Sequence, residues 1–132
     1  MNRNNSNYGS IAIEAASAAA KGVSPILAWE IAAAKKFPNS PTSATKNCPK
    51  CAFLGLAESG EIIGIPSGSY TKSKDNKKYA LSALSLLRSR KLTLISSKDL
   101  WIRVMEGVDK QHNSQMDVVL ALWDSGRIAN TR

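Results

Sequence analysis

The segment from about Ser114 to Ser125 constrains the fold more than any other part of the chain. If this segment is helical, the polar part of its surface is a narrow strip that contains Asp117 and Asp124. The rest of its surface is formed by Met116, Val118, Val119, Leu120, Leu122 and Trp123. A helix that is apolar almost all round is buried by its neighbours. The sequence therefore predicts that this last helix is the central element of the fold.

Helix-start and helix-stop signals define two helices near the beginning of the chain. An Ala-rich run from Ser10 to Lys21 precedes Gly22, which suits the C′ position. Ser24 followed by Pro25 is the favoured order for an N-cap and the first helical residue. The apolar stripe expected along this second helix consists of Leu27, Ile31 and Ala34.

Three further helices are predicted between the second helix and the last one. One starts at Cys48-Pro49 and ends near Gly60, and another runs from about Asp75 to Ser89. A short helix follows the segment 96–99, which resembles a capping box. The Ile-rich segment 61–66 is at most a short extended piece. We therefore expect an all-α, compact bundle of about six helices, with at most a minor β element near 61–66.

The length of 132 residues indicates one domain. We expect a flexible tail over 1–7, a single helical domain over 8–128 and a C-terminal tail over 129–132. No apolar run approaches the roughly 18–20 residues that a membrane helix needs. Glu14 lies where a signal peptide would be apolar, and two cysteines three apart cannot form a secreted disulfide framework. A cytoplasmic location is therefore expected.

The net charge of +8 is concentrated in one window of the chain. From Lys72 to Lys91 there are seven basic residues against Asp75 alone. Basic side chains at the C-terminal end of the fourth helix suit its dipole, whereas those at its N-terminal end do not. The N-terminal cluster consists of Lys72, Lys74, Lys77 and Lys78. It is a candidate contact for phosphates or for an acidic protein partner, with Tyr70 and Tyr79 available to stack on bases.

The segment Cys48-Pro49-Lys50-Cys51 contains both cysteines of the chain and opens a predicted helix. Helix N–H groups and Lys50 would stabilise a thiolate there, and the four residues resemble the Cys-Pro-x-Cys centre of thioredoxin-like oxidoreductases. That fold places its motif after a buried strand, whereas here a polar loop precedes it. A zinc site needs four ligands, and His112 is the only histidine. We therefore favour a structural role for Cys48 and Cys51, with no metal and no cofactor.

A second polar helix start precedes the last helix. It consists of His112, Asn113, Ser114 and Gln115. Together with Cys48, the pair His112 and Asn113 supplies the residue types of a cysteine-nucleophile triad, but nothing in the sequence brings them together. A lone histidine beside Asn and Ser is more often a cap or a solvent-exposed residue. The chain contains neither a phosphate-binding loop motif nor a dinucleotide-binding motif, which argues against nucleotide-dependent enzymes.

Several stretches together resemble a family of short bacterial and phage-associated proteins that is catalogued only as a domain of unknown function. The main matching stretches are Cys48-Pro49-Lys50, Ala52-Phe53-Leu54-Gly55-Leu56, Tyr79-Ala80-Leu81, Leu100-Trp101 and His112-Asn113-Ser114-Gln115-Met116-Asp117-Val118-Val119. The resemblance implies no activity, ligand or catalytic residue. It also does not call for cysteine at Cys51, which weighs against a shared dithiol or zinc function.

These observations favour a non-catalytic basic binding module that contacts nucleic acid or an acidic partner through the lysines of segment 72–78. Two polar helix starts are further candidate ligand-facing ends, namely Cys48, Lys50 and Cys51 in one and His112, Asn113 and Gln115 in the other. One alternative is a protein-interaction factor of phage or mobile-element origin that blocks a host defence complex. A second alternative is a thiol-dependent enzyme that uses Cys48.

Overall fold

The structure is a computed structural model that describes residues 6–89 and 95–129. Six helices of nine or more residues and one single-turn helix occupy these ranges. In chain order they are α1 (Asn7–Ala20), α2 (Pro25–Lys36), α3 (Pro41–Ala44), α4 (Asn47–Glu58), α5 (Lys74–Arg88), α6 (Ser97–Met105) and α7 (Gln115–Asp124). The prediction of an all-α fold is confirmed.

The β structure of the described residues is limited to one antiparallel bridge between Ile62 and Ile128. The Ile63 N–H donates to the carbonyl of Arg127 at 2.9 Å, and the Ala129 N–H donates to the carbonyl of Glu61 at 2.9 Å. This bridge is the minor β element expected near 61–66, and it ties the segment after α7 to the segment after α4.

Helix α7 lies at the centre of the fold, as its composition predicts. It packs against α1, α4, α5 and α6. Its buried side chains include Met116, Val118, Val119, Leu120 and Leu122, each with no exposed surface. Only Asp117, Trp123 and Asp124 of α7 are appreciably exposed, because α1, α4, α5 and α6 are arranged around it, whereas α2 packs on α1 and α4.

Most helix boundaries follow the predicted caps, and α1 is the main exception. Its N-cap is Ser6, whose hydroxyl accepts hydrogen bonds from the backbone N–H groups of Tyr8 and Gly9. The helix therefore starts three residues before the predicted Ser10, and the expected tail over 1–7 contributes Asn7 to it. Residues 1–5, 90–94 and 130–132, and with them the basic residues Arg90 and Lys91, lie outside the described part of the chain.

The predicted inner stripe of α2 is wrong, because that side of the helix faces solvent. Leu27 and Ile31 are 49% and 54% exposed. The buried side contains Ala28, Trp29, Ala32 and Ala33. Small side chains let α2 approach the Ala-rich α1 closely, and the Trp29 ring packs against Phe53 at a centroid distance of 5.3 Å. Burying the largest side chain decides the orientation, since an aromatic ring contributes most to a core.

None of the helices in the described ranges is both long and apolar enough to cross a membrane.

Candidate functional site

A close contact between α4 and α5 positions the lysine-rich start of α5. A Cβ atom on Gly55 would lie 2.7 Å from the Cα of Lys77, closer than real Cβ contacts come. Only glycine therefore allows the two helices to meet at this point. One turn further along α4, Glu58 comes within reach of the segment that leads into α5.

The Glu58 carboxylate holds that segment in place. Its Oε1 accepts hydrogen bonds from the backbone N–H groups of Tyr70 (2.7 Å) and Thr71 (3.0 Å), and its Oε2 accepts one from Lys77 Nζ at 2.6 Å. The hydrogen bond from Lys77 is the main cause that lowers the pKa of Glu58. Burial raises this pKa in part, and the hydrogen bonds from the Thr71 and Tyr70 N–H groups lower it further. The side chain of Glu58 is only 10% exposed, so this cluster is a fixed part of the structure.

Helix α5 begins with a conventional cap. The hydroxyl of Ser73 accepts hydrogen bonds from the backbone N–H of Asn76 at 3.4 Å and from Asn76 Nδ2 at 3.0 Å. With the backbone fixed by Glu58 and Ser73, the neighbouring lysine side chains extend from a rigid base.

A surface pocket of about 710 Å³ lies beside the start of α5. We call it the lysine pocket. It is lined by Glu58, Ser69, Thr71, Lys72, Ser73, Lys74, Lys77, Lys78, Leu81, Ser82 and Ser85. All four lysines of the predicted cluster therefore line one pocket, together with five hydroxyl-bearing side chains.

The four lysines differ in their surroundings. Lys77 is partly buried and its charge is compensated by Glu58. Lys72, Lys74 and Lys78 are exposed, and none of them has an ion-pair partner among residues 6–89 and 95–129. The positive charge available to a ligand in this pocket therefore comes from these three lysines, while Lys77 holds the wall together.

Neither tyrosine proposed for base stacking lines the lysine pocket. The Tyr70 hydroxyl donates to the carbonyl of Pro66 at 2.6 Å, and its ring packs against Gly68. Tyr79 contacts Trp101 edge-on at a centroid distance of 5.2 Å, and its hydroxyl accepts a hydrogen bond from Lys110. The ring of Tyr70 is half-buried and borders a different, smaller pocket.

The smaller pocket has a volume of about 220 Å³ and adjoins the start of α4. We call it the α4 pocket. It is lined by Ile26, Asn47, Lys50, Cys51, Leu54, Tyr70, Thr71, Lys72 and Ser73. Thr71, Lys72 and Ser73 line both pockets, so the two lie on either side of one short segment.

The residues of the Cys48–Cys51 segment have separate roles. Lys50 pairs with Glu30 on α2 at 2.9 Å. Cys51 is buried, and its thiol donates to Asn47 Oδ1 at 3.4 Å. Cys48 is half-buried, and both cysteines are free thiols. No group of three or more metal-ligating side chains occurs in the ranges that the structure describes.

His112 caps α7 from within the fold. Its Nε2 accepts a hydrogen bond from the Met116 N–H at 3.0 Å, whereas Ser114, which occupies the N-cap position, makes no side-chain cap bond. The imidazole packs against Trp101 at a centroid distance of 5.1 Å. Burial lowers the pKa of His112, the charge of Asp117 raises it in part, and the charge of Lys46 lowers it further. The neutral imidazole is therefore the form that holds the helix start.

Gln115 joins the starts of α5 and α7. It is 1% exposed, its Oε1 accepts a hydrogen bond from the Asn113 N–H at 2.7 Å, and its Nε2 donates to Asn76 Oδ1 at 3.0 Å. The structure therefore places Gln115 in the interior, and not at the surface where a ligand-facing role requires it. Satisfied buried amides of this kind stabilise a core.

Charged groups at the start of α4 affect the pKa values of residues just before α7. Lys110 has a raised pKa, chiefly through its hydrogen bond to the Tyr79 hydroxyl and in smaller part through charges that include Cys48. Lys46, just before α4, acts in turn on His112. The segment 110–112 and the start of α4 are thus close enough to influence each other electrostatically.

A comparison with family models gives one match, over residues 5–129, to DUF6979, a family of unknown function. The chain belongs to the DUF6979 family. The match covers nearly the whole chain and confirms the resemblance to a family without an assigned activity. Neither the curated proteins nor the solved structures contain a match to this DUF6979 member.

Sequence reasoning missed Glu58, the residue that organises the site of this DUF6979 protein. The signal was present, because an acidic residue in the last turn of a helix is unfavourable for the helix dipole. Such a residue is expected to have a compensating partner, and the lysine-rich segment that follows it offers several. Asn76 and Gln115 were not identifiable as partners, since 39 residues separate them.

Proposed function

We propose that this DUF6979 protein is a non-catalytic module that binds nucleic acid through the lysine pocket. The observation that carries the proposal is that Lys72, Lys74 and Lys78 are exposed, lack ion-pair partners among the described residues and line one pocket. Its volume of about 710 Å³ lies within the range of about 300–1,000 Å³ that is usual for ligand sites. A cytoplasmic location is part of this proposal, and the two free thiols support it.

The composition of the pocket wall favours phosphate as the contacted group. Hydroxyl side chains and lysines are typical of contacts to the nucleic-acid backbone, which position a protein without reading sequence. Ser82 and Ser85 extend the hydroxyl-bearing wall along α5, and Leu81 is the one apolar side chain of the lining. An acidic protein would use the same lysines, and the experiment below separates the two.

Fluorescence anisotropy with labelled single-stranded DNA, duplex DNA and RNA tests the proposal. Each neutralised phosphate contributes about −0.7 to the slope of log K against log salt for a single strand. Three lysines therefore predict a slope of about −2. Replacing Lys72, Lys74 and Lys78 together by Ala should remove most of the binding and most of this slope.

A charge-matched variant is the control. Lys21, Lys36 and Lys98 are exposed and lie outside both pockets, so their joint replacement by Ala changes the net charge equally. This control should retain most of the affinity. Equal losses in both triple variants would mean that diffuse charge, and not the pocket, attracts the ligand. No binding of the wild-type protein at low salt would refute the nucleic-acid function.

A second candidate function is protein interaction, and one observation favours it. Ile26, Leu27 and Ile31 form an exposed apolar surface on α2, with exposed fractions of 39%, 49% and 54%. Contiguous exposed apolar surface often marks a protein-binding site. A factor of phage or mobile-element origin that blocks a host complex would use such a surface. This candidate becomes the leading one if the nucleic-acid experiment fails.

A further inference from the structure

We propose that the α4 pocket accepts a nucleobase, so that this protein prefers single-stranded nucleic acid to duplex. The inference rests on the proposed nucleic-acid function, and it assigns a ligand class to a second pocket. The two pockets together would hold a base and the phosphates of the strand that carries it.

The placement of the two pockets carries the first step. Thr71, Lys72 and Ser73 line both of them, and Lys72 is exposed without an ion-pair partner in the described ranges. A phosphate held by Lys72 therefore lies at the boundary between the two pockets. The base of the adjoining nucleotide can then extend from that boundary into the α4 pocket.

The chemistry of the α4 pocket suits a planar ring. Its apolar walls come from Ile26, Leu54 and the half-buried Tyr70. Asn47 is exposed at the edge, and its Nδ2 has no hydrogen-bond partner among the described residues, so it can donate to a base carbonyl. The volume of about 220 Å³ is below that of pockets for drug-sized ligands, which fits one ring and not a whole nucleotide.

The same geometry disfavours a duplex. Bases in a duplex are stacked and paired, and taking one out of the stack costs a few kcal/mol. A base in a single strand needs no such step, and contacts between a base and an aromatic side chain tolerate any sequence. The α4 pocket would therefore add affinity for single strands beyond the charge effect of the lysines.

The test compares three labelled probes of equal length, namely oligothymidylate, an abasic strand with the same phosphates, and a duplex. Oligothymidylate should bind the wild-type protein about 5- to 20-fold more tightly than the abasic strand. Ile26→Ala should reduce this ratio, and Ile31→Ala is the matched control because Ile31 is on the same helix, is exposed and lies outside the pocket. Circular dichroism confirms that both variants are folded.

A second measurement locates the base. Photo-cross-linking with 5-iodouracil in the strand should give an adduct on the peptide that contains Tyr70. Equal affinities for oligothymidylate and the abasic strand, both lost in the lysine triple variant, would overturn the base pocket and leave the proposed function intact. Adducts confined to peptides that contain no residue of the α4 pocket would also overturn it. Failure of all three probes to bind would refute both proposals.

Discussion

The helix starts at Ser73 and at His112 are both rich in polar residues, yet they use them in opposite ways. At the start of α5, Lys72, Lys74 and Lys78 point into solvent around an open pocket. At the start of α7, His112 and Gln115 turn inward, where His112 accepts a hydrogen bond from the Met116 N–H and Gln115 donates one to the side chain of Asn76. The start of α5 therefore has side chains available for a ligand, whereas the side chains at the start of α7 form hydrogen bonds within the bundle.

Polarity at a helix start therefore does not by itself indicate a binding site. Burial decides the outcome, because a buried polar group must have a partner within the protein. Substitutions at the α7 start should therefore change stability, and those of the exposed Lys72, Lys74 and Lys78 should change binding only.

The largest effect on stability is expected at Gln115. Gln115→Ala leaves the Asn113 N–H and Asn76 Oδ1 without their partner and opens a cavity at the start of the central helix α7. The free energy of unfolding should fall by about 2–3 kcal/mol, as measured by urea denaturation. The lysine triple variant should differ from wild type by less than about 0.5 kcal/mol. A lysine variant as unstable as Gln115→Ala would remove the contrast between the two regions.

Glu58 lies beside the lysines but has a structural role, so we expect its substitution to change stability. Glu58→Gln leaves Lys77 without its counter-charge and should cost about 1–2 kcal/mol in urea denaturation. Because the pKa of Glu58 is lowered, the wild-type protein keeps this stabilisation above the ordinary glutamate pKa of about 4.5 and loses it as pH falls through the folded value. The variant should lack this acid-dependent loss.

An exposed ion pair provides the control for Glu58. Lys35 Nζ lies 3.5 Å from Glu14 Oε2, and the side chains of Glu14 and Lys35 are 50% and 73% exposed. Glu14→Gln should change the free energy of unfolding by less than about 0.5 kcal/mol, because water screens such pairs. A larger loss for Glu14→Gln than for Glu58→Gln would contradict the structural role assigned to Glu58.

The effect expected from His112 is smaller than those at Gln115 and Glu58, and it depends on pH. The unfolded chain binds a proton near the ordinary histidine pKa of 6.5, whereas burial lowers the pKa in the folded protein. Stability should therefore be complete above pH 6.5 and decline as pH falls toward the lowered value. Loss of the cap corresponds to about 1 kcal/mol. His112→Gln keeps a neutral acceptor and should give a flatter profile between pH 7 and pH 5, whereas an equally steep profile would assign the pH dependence to other groups.

Much of the fold could be predicted because its signals are local. Ser24-Pro25 at the start of α2 and Ser96 at the start of α6 act as the caps that the sequence predicts, with hydrogen bonds to the N–H groups of Leu27 and Asp99. The apolar surface of α7 also predicts its central position without knowledge of its neighbours. In the candidate site, the grouping of four lysines within seven residues predicts one patch, and the structure places all four around one pocket.

The failures concern choices between two faces of one helix or between partners far apart in sequence. The apolar stripe of Leu27 and Ile31 predicts the wrong inner face for α2, because the close approach of small side chains to α1 and the burial of Trp29 outweigh it. The pairing of Lys77 with Glu58 likewise depends on the contact at Gly55.

Local sequence patterns therefore predict the helical class, the capped helix starts, the central α7 and the location of the positive charge. Each of these follows from interactions within a few residues or from the overall polarity of one segment. Tertiary structure alone decided which lysines remain unpaired, which polar helix start faces inward, and that a small apolar pocket adjoins the lysine pocket. These properties depend on how closely two helices approach, which is set by side-chain shapes on both partners and cannot be read from either segment alone.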